Sequence, residues 1–323
     1  MQLTFRSIDE AVPGDKWRSL WTQLSPAYQT WFLRDGTQAR PSYLASTRAL
    51  KQHLPELIPT YEKLVDLAGG GDLAARLLSL WCPTPYLAGC SQVAVTGHSV
   101  EPFLIRNYDY AANLCEGVVL KSAWNQRRVI AMNDCLWGAL DGMNENGLAV
   151  SLAFGGRPVT GEGFGIPLVL RYILEFCADA NEAAKVLERI PVNMTYNVTL
   201  LDASGKFFTA YVAPDRKTVL RHWPCATNHQ GTVDWPEYAA ITGTVEREQF
   251  LVARLADPSE TSESISEHFG KPPLFWPNYK LGWGTLYTSI YRLKKREAEF
   301  RWRGHKWIRA FAQFPEESLT ITY

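Results

Sequence analysis

The spacing of apolar residues changes period between residues 82 and 90, and this change fixes the order of structural layers. Before it, WRSLWTQL, SYLASTRALKQHL, PTYEKLVDLA and DLAARLLSLW carry apolar residues three and four apart, punctuated by Pro13, Pro26, Pro41, Pro55 and Pro59. That pattern predicts a helical segment over residues 1 to about 82. After Pro83 and Pro85 the period is two: SQVAVTG, PFLIRNYDY, GVVLKSAW, RRVIAMN and NGLAVSLAF read as strands of a mostly antiparallel sheet beginning at about residue 90. IPLVLRYILEFCA and NEAAKVLERI predict two helices, and TYNVTLLDASGKFFTAYVA a hairpin turning at DASG. A helical stretch from about Pro236 to Ala256, a shorter one from Ser262 to Phe269, and two closing strands in GTLYTSIYRLKKREAEFRWRG complete the pattern. Strands and helices in this order predict an α+β domain with helices outside sheets.

Composition narrows the function. The 323 residues are enough to bury about 75% of the unfolded chain's surface. Lysine plus arginine number 33 and aspartate plus glutamate 33, leaving no basic field to hold a phosphate backbone, so a nucleic-acid partner is not expected. With 46% hydrophobic and only 20% charged residues the chain is globular. Its 12 tryptophans suffice to line an apolar pocket as well as fill a core. No stretch approaches 18 uncharged apolar residues, and MQLTFRSIDEAVPGDKW lacks a secretion pattern. The six cysteines, Cys82, Cys90, Cys115, Cys135, Cys177 and Cys225, form no CxxC pair. The reading is a cytoplasmic chain with no membrane span, no metal and no cofactor, in which most cysteines are small buried apolar residues.

Cys90 is the exception. In LAG-CSQVAV a glycine precedes a cysteine that opens a strand, at the point where the period changes. Were the Gly89–Cys90 bond cut, Cys90 would carry a thiol and a free α-amine titrating near ~7.7 to 8.0, able to act as the thiol's own base. Glycine leaves room for the thiol to attack the preceding carbonyl. On the dipeptide alone, a buried cysteine at a strand end is the favoured reading.

Further motifs follow in order: RNYD (Arg106 to Asp109), DGMNENGLAVS (Asp141 to Ser151), NVTLLDASG (Asn197 to Gly205), ATNH (Ala226 to His229) and TVEREQFL. With the GCS at Cys90 this set resembles the choloylglycine hydrolase and isopenicillin N acyltransferase branch of the N-terminal-nucleophile hydrolases, from Gly89 to about Gly304. The leader and ATNH are more similar to the acyltransferase-like members. The resemblance implies a four-layer αββα sandwich, a helical leader over residues 1–89 that is cut off or retained, and a catalytic domain over residues 90–323. It assigns Cys90 as nucleophile, Arg106 and Asp109 as its flanking pair, Asn228 as an oxyanion donor, and Arg247 as the downstream arginine, with Arg254 as a rival about two turns along nearly the same helical face. The second oxyanion donor is expected to be a main-chain NH at about Phe154.

Physically, a carboxylate aims the α-amine and a guanidinium favours thiolate. A spacing of three puts Arg106 and Asp109 on opposite faces of an ideal strand, so both are expected to reach Cys90 only if the strand bulges or ends there. Outside the resemblance the pair would read as a surface ion pair. The five glycines of AFGGRPVTGEGFGI read either as simple turns of the chain or as a mobile loop bounding an apolar or aromatic acyl pocket with Phe154 and Phe164, and the second reading is the expectation. The expected activity is autocatalytic cleavage of a zymogen, followed by acyl transfer from a small nonpeptide amide or thioester to water or an amine. Leader and catalytic chain are expected to stay associated; the oligomeric state is left open. Two competitors stand beside this: a dormant or binding protein on the same fold, and a papain-like Cys90–His229 dyad, which CSQVAVTG disfavours because it alternates as a strand where that enzyme class starts a helix.

Overall fold

The computed structural model describes residues 1–97 and 100–323. Among the described residues the strands form two sheets packed face to face. The smaller carries β2 (Gly89–Gly97), β3 (Val100–Tyr110), β11 (Cys225–Ala226), β12 (Gly284–Arg292), β13 (Glu297–Trp302) and β14 (His305–Ala310), all antiparallel in the order β11-β2-β3-β12-β13-β14. The larger contains β1 (Gln2–Glu10), β4 (Val118–Ser122), β5 (Val129–Asp134), β6 (Gly138–Asn144), β7 (Ala149–Phe154), β8 (Tyr196–Leu201), β9 (Phe207–Ala213), β10 (Arg216–Arg221) and β15 (Glu317–Thr322). Its order is β10-β9-β8-β7-β6-β5-β4-β1-β15, antiparallel except where β1 runs parallel to β4.

Helices cover both outer faces. α5 (Ile166–Phe176) and α6 (Ala180–Arg189) lie on the larger sheet, α5 against β6 and β7. α8 (Thr244–Ala256) and α9 (Ser262–His268) lie on the smaller, against β2 and β3. Strand alternation sorts the side chains accordingly. Val93, Val95, Phe103 and Ile105 face outward, packing with Leu251 of α8 and Ile265 of α9, while Cys90, Ala94, Leu104 and Tyr108 join the core between the sheets. The result is an αββα sandwich with the Cys90 side chain in its central layer. No helix among the described residues is long and apolar enough to cross a membrane.

The sequence expectation for the first 82 residues needs one correction. α1 (Asp15–Phe32), α2 (Tyr43–His53), α3 (Ile58–Leu67) and α4 (Asp72–Leu78) follow the helical spacing, but Gln2–Glu10 is a strand. β1 sits between β4 and β15, so the N-terminal segment is built into the sheet rather than appended to it. Phe5 is fully buried beside Tyr287 and Trp302. QLTFRSIDE alternates too weakly to announce a strand, because its partners lie more than a hundred residues away and supply the burial. Other strands exceed the expectation too: β6 holds the Asp-Gly pair of a turn signal, and β14 and β15 follow the two closing strands that were expected. α1 and α4 meet the β5–β6 turn, where the Trp17 indole donates to Leu136 O (2.9 Å) and the Trp137 indole to Leu78 O (2.9 Å).

Candidate active site

β2 and β3 are paired without a break from Gly89↔Asp109 to Val95↔Phe103, which sets Cys90 opposite Tyr108 and Arg106 two pairs further along, opposite Gln92. The β2–β3 pairing has no bulge over this stretch, although β12 carries one extra residue opposite Tyr108 and Asp109 and β3 ends at Tyr110, one residue past Asp109; neither feature brings Arg106 and Asp109 to one face. They approach from opposite faces instead. Arg106 points with the Cys90 side chain into the central layer, its Nη2 donating to Sγ at 3.2 Å. Asp109 is directed to the other face, beside the backbone of residue 89: a Cβ placed on Gly89 would meet the Asp109 Cβ and the Trp283 ring, both at 3.1 Å. One group therefore addresses the thiol and the other the bond that precedes it.

Arg106 is held across the sandwich. Its Nε donates to Leu152 O (2.9 Å), and Nη1 pairs with Asp141 of β6 while donating to Tyr287 Oη (3.0 Å). Asp141 also accepts from the hydroxyls of Tyr287 (2.8 Å) and Tyr291 (2.5 Å). Arg106, Asp141, Tyr287 and Tyr291 are all buried. A buried cation with this many partners is fixed in position, which the sequence did not reveal: DGMNENGLAVS drew attention to Asp141 but gave it no partner.

Asn228 and Arg247 take hold of the Cys90 backbone. Asn228 Oδ1 accepts from Cys90 N (3.0 Å) and from Arg247 Nη2 (2.8 Å); Arg247 Nη1 donates to Cys90 O (2.6 Å) and Ser91 Oγ (2.8 Å). The same Nη1 lies 3.7 Å from Asp109 Oδ2. Arg254 instead pairs with Asp257 and Glu260, so Arg247 is the arginine that reaches Cys90. Gly243, left-handed at φ 57, breaks the helical stretch into α7 (Pro236–Thr242) and α8, and Arg247 Nε donates back to Thr242 O across that break. Asn228 is itself placed by its neighbours: its N–H donates to Thr244 Oγ1 (2.6 Å), and the Asn197 amide donates to the carbonyls of Thr227 and His229 on either side of it (2.9 and 2.8 Å).

The Asn228 Nδ2 group donates to Phe154 O (3.0 Å) and Ala88 O (3.3 Å), and Tyr238 Oη donates to the same Ala88 oxygen at 3.1 Å. Phe154 contributes its carbonyl to this arrangement, and its ring packs edge-on to Tyr238. Phe164 does not join the cluster; its ring meets Trp81 and the His53 ring at the end of α2. The glycine-rich segment is also not the open loop expected. Gly156 (φ +72) lies so close to the ATNH backbone that a Cβ would stand 2.2 Å from Asn228 O, which makes the segment a buttress for Asn228. His229 bonds Thr244 and Glu248 rather than Cys90, leaving no Cys–His dyad.

Electrostatics follow from burial. Burial pushes the Cys90 thiol up, and Arg106 opposes that rise while Asp109 adds to it. Burial likewise raises the Asp109 carboxyl, against the pull of Arg247 and the Thr285 hydroxyl, which donates to Oδ1 at 2.6 Å. Asp109 Oδ2 has no hydrogen-bond partner among the described residues. An apolar cleft of about 140 Å³ opens beyond Tyr110, which shares the Cys90 face of β3 two residues past Tyr108; Leu24, Tyr28 and Trp31 of α1 and Tyr86 complete its walls. Glu116 and Asp134 are also among its lining residues, and burial beside Asp134 raises Glu116 to about 7. Among the described residues no group of three or more His, Cys, Asp or Glu side chains is gathered as a metal site.

This predicts the behaviour of Arg106→Gln. Losing the guanidinium leaves Asp141 buried without its cation, which costs about 3–5 kcal/mol of stability and moves the Cys90 thiol further up. Alkylation of the thiol, followed against pH, should shift its midpoint to higher pH, and Asp141→Asn in the same chain should recover stability but not the midpoint. An unshifted midpoint would show that Arg106 does not govern the thiol.

Two sheets enclosed by helices, with a strand-opening cysteine held at thiol and backbone nitrogen, define an N-terminal-nucleophile hydrolase fold. Residues 95–307 match the acyl-coenzyme A:6-aminopenicillanic acid acyl-transferase family, and the chain belongs to that family. The match begins five residues after Cys90 and includes Arg106, Asp109, Asn228 and Arg247. No curated protein matches the chain in sequence. Among solved structures it is similar to penicillin V acylase from Agrobacterium tumefaciens (17% identity, 69% of this chain and 87% of that one, TM-score 0.47). It is also similar to a mutant of conjugated bile acid hydrolase from Clostridium perfringens (13%, 72% and 97%, 0.48) and to the Caenorhabditis elegans ortholog of N-acylethanolamine-hydrolyzing acid amidase (16%, 63% and 92%, 0.43).

Proposed function

We propose that the chain cuts itself between Gly89 and Cys90 and then transfers acyl groups from a nonpeptide amide or a thioester through Cys90. The observation that carries this reading is the dual grip on one residue: a fixed guanidinium 3.2 Å from Sγ, and Asn228 Oδ1 3.0 Å from the backbone nitrogen. Any buried cysteine needs an acceptor for its backbone N–H, but a fixed guanidinium at the thiol serves only a sulfur that carries charge.

In the first reaction Sγ attacks the Gly89 carbonyl carbon, the C–N bond breaks, and the nitrogen takes up the thiol proton to become the α-amine. Water then cleaves the thioester, leaving a Gly89 carboxylate and a free thiol. Asp109 Oδ2, which has an unused acceptor beside this bond, receives the new α-ammonium. In the second reaction the α-amine takes the thiol proton, the thiolate attacks the substrate carbonyl, and the α-ammonium protonates the departing amine or thiol. Water or an acceptor amine, deprotonated by the same α-amine, then releases the acyl group from sulfur. Once Ala88 O has left, Asn228 Nδ2 donates to the oxyanion of the tetrahedral intermediates formed on the substrate. The apolar part of the acyl group enters the cleft beyond Tyr110, whose carboxyl-bearing lining disfavours an anionic end.

Brief incubation with a phenylacetyl thioester and mass analysis of the resulting peptides tests the reading. The acyl mass is expected on the peptide that begins at Cys90. Turnover with the acyl group on any other residue, or on none, would remove Cys90 as nucleophile.

A further inference from the structure

In the uncut chain two hydrogen-bond donors from separate elements converge on one carbonyl oxygen beside the nucleophile. Asn228 Nδ2 reaches Ala88 O at 3.3 Å and Tyr238 Oη reaches it at 3.1 Å. Ala88 belongs to the segment that would lead away from Cys90 once the chain is cut, so its oxygen leaves and both donors remain. Two preset donors aimed at one oxygen position, next to a thiol, form the geometry that stabilises a tetrahedral oxyanion. We propose that Tyr238 is a catalytic residue, its hydroxyl the second oxyanion donor beside Asn228, with Ala88 O filling the hole until cleavage. This inference rests on the acyl-transfer reading above and names a group to which that reading gave no role.

The surroundings of Tyr238 suit a fixed donor. It sits on α7, its ring stacked on Trp235 (5.1 Å) and edge-on to Phe154 (5.3 Å), and it is 8% exposed. The ring is therefore positioned before substrate arrives, and little reorganisation accompanies charge development. Burial, with the Cys90 sulfur nearby, raises the phenol well above its ordinary value, which favours the protonated, donating form. Phe154 enters in a different way from that expected of it: its carbonyl accepts from Asn228 Nδ2 at 3.0 Å and orients that amide, while its ring braces Tyr238.

Tyr238→Phe keeps the ring and removes only the hydroxyl. Measured on cut, active-site-titrated protein, it is expected to lower kcat about 10- to 100-fold with KM changed less than about threefold. An aldehyde analogue of the acyl group, which adds to the thiol as a tetrahedral adduct, should lose affinity by a similar factor, whereas the carboxylic acid product should bind as before. The circular dichroism spectrum and melting temperature check that the fold is kept. If kcat per cut molecule stays within about twofold of wild type, or if only the rate of cutting falls, Tyr238 merely holds the leader end and the inference is wrong. Formation of the acyl adduct at Cys90 in the same samples shows independently whether the underlying reading stands.

Discussion

Cys90→Ala is expected to remain a single chain of 36.4 kDa and to lose acyl turnover by at least about 10⁴-fold. The substitution removes the sulfur that would attack both the Gly89 carbonyl and the substrate, while Asn228 and Arg247 keep their contacts, since they bind the backbone of residue 90. Arg106 loses one weak sulfur acceptor of four partners and stays paired with Asp141. The fold should therefore survive, and gel mobility together with turnover of a phenylacetyl thioester reads both effects. A cut Cys90→Ala chain would mean that another group breaks the bond.

Asn228→Asp is expected to lower kcat about 10²- to 10³-fold while KM moves little. The substitution preserves the oxygen that accepts from Cys90 N and Arg247 Nη2 and exchanges the Nδ2 donor for an acceptor aimed at the developing oxyanion. The same change sets a carboxylate oxygen against Phe154 O and Ala88 O, so cutting should slow as well. Asn228→Ala would remove both halves at once and confound packing with catalysis, which makes the aspartate variant the more informative one. Stopped assays over a range of substrate concentrations give the two parameters separately; an unchanged kcat would exclude Asn228 from the site.

Much of the architecture follows from local patterns. Period-two alternation in SQVAVTG and PFLIRNYDY suffices to pair β2 with β3, and the three-and-four spacing of IPLVLRYILEF and NEAAKVLERI suffices for α5 and α6. β1 was not legible because Phe5 and Ser7 become buried only through β15 and β4, which are distant in sequence. At the site, the short motifs identified Cys90, Arg106, Asp109, Asn228 and Arg247, and the fold brings these five together. What the motifs could not convey is division of labour: alternation correctly put Arg106 and Asp109 on opposite faces, and the resolution lies in their addressing different atoms rather than in a bulge. Tyr238, Tyr287 and Thr285 stand in segments with no short signature, and Asp141 in a motif that names no partner for it, since each acts through a hydroxyl or carboxyl whose target is supplied by another element. Phe164 shows the converse, an aromatic beside glycines that reads as a pocket wall and packs instead against Trp81.

The N-terminal sequence of the purified wild-type protein tests the central claim most directly. Two sequences are expected from one chromatographic peak, one starting Met-Gln-Leu-Thr and one starting Cys-Ser-Gln-Val, because β1 lies between β4 and β15 and holds residues 1–89 in the sheet after the cut. A protein that stays whole at 36.4 kDa while turning over acyl substrates would contradict the account, since its Cys90 would have no free α-amine to serve as base.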